Sequence, residues 1–279
     1  MKMISTLLVA TAALGLTTAA SAQDEDRSND FNGFYIGGTI GTTAQKNDGA
    51  STVVFDTNRD GTFDQNVLTS TGGNAFSPGF CNGFSTANAP GGCRKDENGL
   101  EYSVRMGYDA RMGSNLVAGL LVEGAKSSAR DGSSAFSTTP AGYSFDRELD
   151  YAVSARARLG ITPGGGGGLF YVTGGGSYAK IDHTFSTTNT ANSFSPVNDG
   201  KMVWGWQAGG GAEVLLSRNL SLGIEYLYNR YDDGDYYVAV GNGTAGPTNP
   251  FVLAGGVNMR PSETRYDYHS LRASMSFRF

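Results

Sequence analysis

Eight charged side chains share one parity within runs that otherwise alternate polar and apolar residues: Glu101, Arg105, Glu123, Arg156, Arg158, Glu213, Glu225 and Arg272. Four acids and four bases at this spacing suit one kind of chemistry. A guanidinium presents several donors to carboxylates, and charges withdrawn from water persist only when paired. The set predicts an internal ion-pair network. Two uses follow: a proton relay or polar channel, or a salt-bridged plug. Balanced charge and a narrow interior favour the plug. Catalysis by paired carboxylates needs a cleft open to water, so no enzyme is expected. His269 and Ser270 are sequence neighbours and point to opposite faces of a strand, which argues against a Ser/His hydrolase pair. The run Gly164–Gly168 has no Gly-Lys-Ser/Thr after it and is no phosphate loop.

A second group is DTNRDGTFD, residues 56–64. Asp56, Asn58, Asp60 and Asp64 stand where the front half of an EF-hand loop places its oxygen ligands, with Gly61 at the sharp turn. Val67 occupies the place of the bidentate glutamate. Weak calcium binding and a plain Asp/Asn/Gly turn joining the strands TVVF and TFDQNVL are both compatible with these residues. No other cofactor is expected.

The elements that must position these groups read as strands. Counting back from Phe279, residues Phe277, Met275, Ala273 and Leu271 alternate with Arg278, Ser276, Ser274, Arg272 and Ser270, a period of two. Eight such runs occur: residues 33–41, 99–110, 115–125, 147–161, 169–181, 201–215, 220–230 and 264–279. Long connections (42–98, 126–146, 182–200 and 231–263) alternate with short ones. The pattern predicts an all-β fold, an eight-stranded antiparallel up-and-down transmembrane β-barrel with long extracellular loops and periplasmic short turns. Tyr102, Tyr151, Tyr178, Trp204 and Tyr228 sort to one end of the strands. Phe34, Tyr108, Phe170, Phe277 and Phe279 sort to the other, as two aromatic girdles would.

Residues 1–22 have the charged, apolar and A-x-A parts of a secretory signal peptide, and their apolar core is too short to span a membrane. Residues 23–32 read as an acidic periplasmic arm, and 33–279 as the barrel. Glycine, at 41 residues, has about twice its usual share. A net charge of −5 argues against nucleic acid as a partner. In an exported chain the close pair Cys81 and Cys93 is expected to form a disulfide.

The segments GFYIGGTIG, ARARLG, YVTGGGSYA, GAEVLLSRNLSLGIEYLY and LRASMSFRF resemble the porin-like small outer-membrane barrels of α-proteobacteria, relatives of the OmpA-type transmembrane domain. The resemblance runs from about residue 31 to the end. It implies a place in the cell outer membrane, as a structural and surface-exposed component of the Gram-negative envelope. It also implies an assembly signal in the terminal aromatic Phe279, with Phe277 on the same face, read by the barrel assembly machinery. Some members bind haemin. His269, with a loop tyrosine, is then a candidate haem ligand, against a duller place among lipid headgroups. The remaining expected partners are outer-membrane lipid, lipopolysaccharide and an unknown ligand of the extracellular loops. A small-solute porin and a haemin or host-ligand receptor stand as alternatives.

Overall fold

The computed structural model describes residues 30–45, 51–76, 96–139 and 141–279. The expected signal peptide, most of the expected arm, and Cys81 and Cys93 lie outside the described residues. Eight long strands dominate: β1 (Gly33–Gln45), β3 (Gly99–Met112), β4 (Leu116–Ser127), β6 (Ala141–Ile161), β7 (Gly168–Thr187), β9 (Met202–Ser217), β10 (Leu220–Asp232) and β13 (Arg265–Arg278). All pair antiparallel in the order β4-β3-β1-β13-β10-β9-β7-β6, and pairing of β4 with β6 closes the barrel. The seam between first and last strand runs from Tyr35↔Arg278 to Gln45↔Tyr268. The Phe279 amide adds a bond to the Phe34 carbonyl at 3.0 Å.

Alternation explains this closure. Phe34, Ile36, Ile40, Val104, Met106, Leu120, Val172, Ile224, Leu271 and Met275 are exposed on the outer face, while their strand neighbours are buried inside. An outward apolar band around a polar interior is the inverse of a soluble core, and a barrel in lipid requires it. The two girdles are visible as ring pairs. Phe34 meets Tyr108 at 4.8 Å and Phe277 meets Phe279 at 5.1 Å at the short-turn end. Tyr178 meets Trp204 at 4.8 Å at the other.

The long connections differ from the expected loops. Strands β6 and β7 continue well beyond the band, and β5 (Arg130–Ser137) pairs with that extension of β6. Four short strands, β2 (Val53–Asp56), β8 (Ser193–Val197), β11 (Tyr237–Gly241) and β12 (Val257–Pro261), form a separate sheet in the order β2-β12-β11-β8. One helical turn, α1 (Pro250–Leu253), is capped by the Asn249 side chain, which accepts from the Phe251 and Val252 amides. Val53, Phe55, Phe76, Tyr143, Phe145, Val238, Val240, Phe251, Val257 and Met259 are buried together beneath this sheet. The connections thus fold into a cap with its own apolar core. TVVF becomes β2 and pairs along its length with β12, meeting TFDQNVL only at the single bridge Phe55↔Gln65; residues 62–68 make one further bridge, Leu68↔Asn74.

Asp30 and Phe31, at the end of the stretch read as an arm, are packed. Asp30 accepts from the Gly167 amide at 2.8 Å, and Phe31 is buried with Val117, Leu169 and Tyr171. Phe31 is the one large apolar side chain of that stretch, and burying it against the barrel base is favourable.

Candidate functional site

The lumen carries the chemistry, and its charges divide into two clusters. Nearest the short turns, Arg158 and Arg278 face Asp109 and Glu213. Arg158 forks onto Asp109 and reaches Glu213 at 3.1 Å. Arg278 bonds Asp109 at 2.9 Å and Glu213 at 2.6 Å. The four form a closed ring of alternating sign. Ser221 donates to Glu213 at 2.6 Å. The Tyr35 ring lies 4.7 Å from the Arg158 guanidinium and 4.9 Å from that of Arg278, and Phe31 underlies Arg278 at 4.6 Å.

Deeper in the barrel, Arg105, Arg156 and Arg272 face Glu101, Glu123 and Glu225. Arg272 is the hub: it bonds Glu101 at 2.8 Å, Glu123 at 2.9 Å and Glu225 at 2.5 Å. Arg156 ties Glu123 at 3.1 Å to Glu225 at 3.3 Å. Arg105 is held more loosely, 3.6 Å from Glu225 and 3.4 Å from Ser276. Tyr171 donates to Glu225 at 2.8 Å, and Ser270 to Glu101 at 2.7 Å. Each cluster is neutral by itself, two acids with two bases and three with three. All of these side chains are at most 5% exposed.

The structure therefore places all eight charges named from sequence inside the barrel, and adds Asp109 and Arg278. Both have the inward parity of their strands: Asp109 follows Glu101, Ser103, Arg105 and Gly107, and Arg278 follows Arg272, Ser274 and Ser276. Glycine makes room for the large groups. At Gly41 an added Cβ would press on the Leu271 carbonyl and the Arg272 backbone, and at Gly211 it would lie 2.7 Å from the Tyr171 hydroxyl.

Toward the long-loop end, Tyr231, Tyr266 and Tyr268 fill the lumen with Leu149 and Ile181. Above them Arg147 bonds Asp131 at 2.6 Å and Asp233 at 3.3 Å. His183 sits here. Its ring lies 2.9 Å from Asp233 and 3.3 Å from Asp199, stacked on Tyr236 at 3.9 Å. Burial pushes the Tyr236 hydroxyl above its ordinary range.

The remaining candidates are scattered. His269 is exposed on the outer face of β13, its Nδ1 2.6 Å from the Tyr226 hydroxyl. Phe277 and Phe279 are exposed at the short-turn rim. In the Asp-rich segment, Asp56 is buried and accepts from the Asp60 and Gly61 amides at 3.2 and 3.0 Å. Asn58 donates to Asp60 at 2.9 Å, and Asp64 accepts from Gln65 at 2.5 Å. The Thr62 amide, 2.7 Å away, holds the Asp60 carboxyl below its ordinary range. These carboxylates close turns. Among the described residues no three His, Cys, Asp or Glu side chains converge as a metal site.

The sequence pattern of the outer membrane protein beta-barrel domain matches residues 8–279. The 31 kDa outer-membrane immunogenic proteins of Brucella melitensis biotype 1 and Brucella suis biovar 1 are each 26% identical over 181 residues, 65% of this chain and 67% of theirs. Among solved structures, OprG from Pseudomonas aeruginosa is 11% identical with a TM-score of 0.49, over 91% of this chain and 100% of that one. Neisserial surface protein A is 11% identical with a TM-score of 0.36, over 89% and 98%.

Proposed function

Because this chain belongs to the outer membrane protein beta-barrel domain family, we propose that it serves the outer membrane as a sealed structural barrel that displays a folded cap at the cell surface. The outer membrane is its place, and salt bridges fill its interior. The observation that carries the proposal is the pair of neutral, interlocked ion clusters. Ten charged groups compensate one another across the lumen, so water or a solute could pass only by breaking several buried pairs. Breaking one such pair costs about 3–5 kcal/mol. The tyrosine layer and the cap core stand above the same axis.

The cap is the surface-exposed part in this reading. Immunogenicity of the Brucella relatives is consistent with a folded, displayed loop domain. In this reading the lumen acids are structural, because each is committed to arginine. Recording in planar bilayers tests the reading. We expect no conductance steps from the wild-type chain, and discrete steps at physiological salt would overturn the sealed barrel in favour of a pore.

A further inference from the structure

We propose that residues 30–32 form a strap that swings across the short-turn mouth after the wall has closed and locks the barrel against reopening. The first sign is backbone strain. Phe31 has φ +56°, in the left-handed region, where Arg59 and Asn198 are its only non-glycine company among the described residues. A bulky side chain rarely adopts that conformation, and it persists only where the surroundings impose it. Gly33 has φ +116° and lies against the chain end: a Cβ there would stand 2.7 Å from the Phe279 carbonyl. The two turns carry the chain off the wall and across its mouth.

The Phe31 ring leaves the β1 side. It is buried with Val117 of β4, Leu169 and Tyr171 of β7, and Leu215 of β9. In the closed order β7 stands opposite β1, so the ring spans the mouth. Arg278 of β13 covers it at 4.6 Å. Both flanks are tied down. Asp30 accepts from the Gly167 amide, in the turn between β6 and β7, at 2.8 Å. Arg111, near the end of β3, donates from its backbone amide to the Asn32 side chain at 3.1 Å and from its guanidinium to the Asp30 carbonyl at 3.2 Å.

This seat exists only in a closed wall. Its parts come from β3, β4, β7, β9 and β13, which closure alone brings together, and Arg278 is the last of them in the chain. The strap itself lies outside the ladder, whose pairing with β3 begins at Gly33, so it is free to set last. Before closure nothing compensates the Phe31 conformation, and the segment relaxes. After closure, burial of the ring holds it. Parting β13 from β1 must then unseat the ring from beneath Arg278. A contact made after the closing step slows opening without speeding closing. The proposal concerns the wall, and it stands whether or not the lumen conducts.

Interrupted refolding of the urea-denatured chain into lipid vesicles tests it. Refolding is stopped at successive times, and loss of the heat-shifted form is then timed in urea. We expect the first heat-shifted wild-type barrels to open fast, and a slow-opening population to replace them later. Phe31→Ala should reach the heat-shifted form at the wild-type rate, open at least about tenfold faster than mature wild type, and never gain the slow population. Phe34→Ala, whose ring is exposed on the outer face, should gain it. Opening of Phe31→Ala at the wild-type rate, or loss of the slow population in Phe34→Ala as well, would overturn the proposal. So would failure of Phe31→Ala to reach the heat-shifted form, or slow opening from the very first wild-type barrels, since either makes the strap part of closure itself.

Discussion

Arg272 shows what one buried side chain does here. It holds three carboxylates at once, on β3, β4 and β10. Removing it strands Glu101 without its arginine and loosens Glu225. Arg272→Ala is expected to destabilise the barrel by about 3–5 kcal/mol, read as a lowered urea midpoint for loss of the heat-shifted form. An unchanged midpoint would mean that the network carries no stability. Gly41 makes the complementary point. Its missing Cβ leaves space for the Arg272 backbone, so Gly41→Val should abolish the heat-shifted form, whereas Gly124→Val, facing open space, should leave it intact. Charges were legible in the sequence because inward parity is strict in a barrel wall. Asp109 and Arg278 obey the same parity and lie at the ends of their runs. There the polar face is easily read as the start of a turn or the chain terminus. Their partners, Arg158 and Glu213, sit on strands far away in sequence, and spacing along one strand says nothing of that.

Strands tell a similar story. The eight wall strands announced themselves by long alternation, and the structure extends several of them: β1 to Gln45, β6 back to Ala141 and β7 to Thr187. The cap did not announce itself. Its strands are four or five residues long, and β2 meets β12 through Val53↔Pro261, a pairing no local pattern encodes. Even so, Val53 with Phe55, Val238 with Val240, and Val257 with Met259 each carry a period of two. The cap core should be separable from the barrel. Val240→Asp is expected to expose the cap to limited proteolysis while the heat shift survives. If the barrel unfolds with the cap, the two are one cooperative unit. At the other end, the Phe279 amide bonds to β1, and its ring packs on Phe277. Deleting Phe279 should reduce insertion far more than shortening the 242–248 segment of the cap, as judged by the heat-shifted fraction in membranes. Normal insertion of the truncated chain would remove any assembly role from that residue.

For the molecule as a whole, layers of packed side chains stand in series along one axis: Phe31, the two ion clusters, the tyrosine layer and the cap. Excising the cap sheet should therefore leave the barrel electrically silent in planar bilayers, because the ion clusters lie beneath it; steps appearing only after excision would make the cap the sole gate. One feature of the seam has a mechanical meaning. Inward-facing β1 carries Tyr35, Gly37, Thr39, Gly41 and Thr43, with no charge among them. Across this low strand Arg272 and Arg278 of β13 reach Glu101 and Asp109 of β3. The last strand is thereby riveted to the second wall strand as well as zipped to the first. Parting β1 from β13 would have to shear two ion pairs along with the backbone ladder. A sideways exit for lipids or greasy cargo is accordingly bolted shut at the very place where chain topology would otherwise make the wall easiest to unzip.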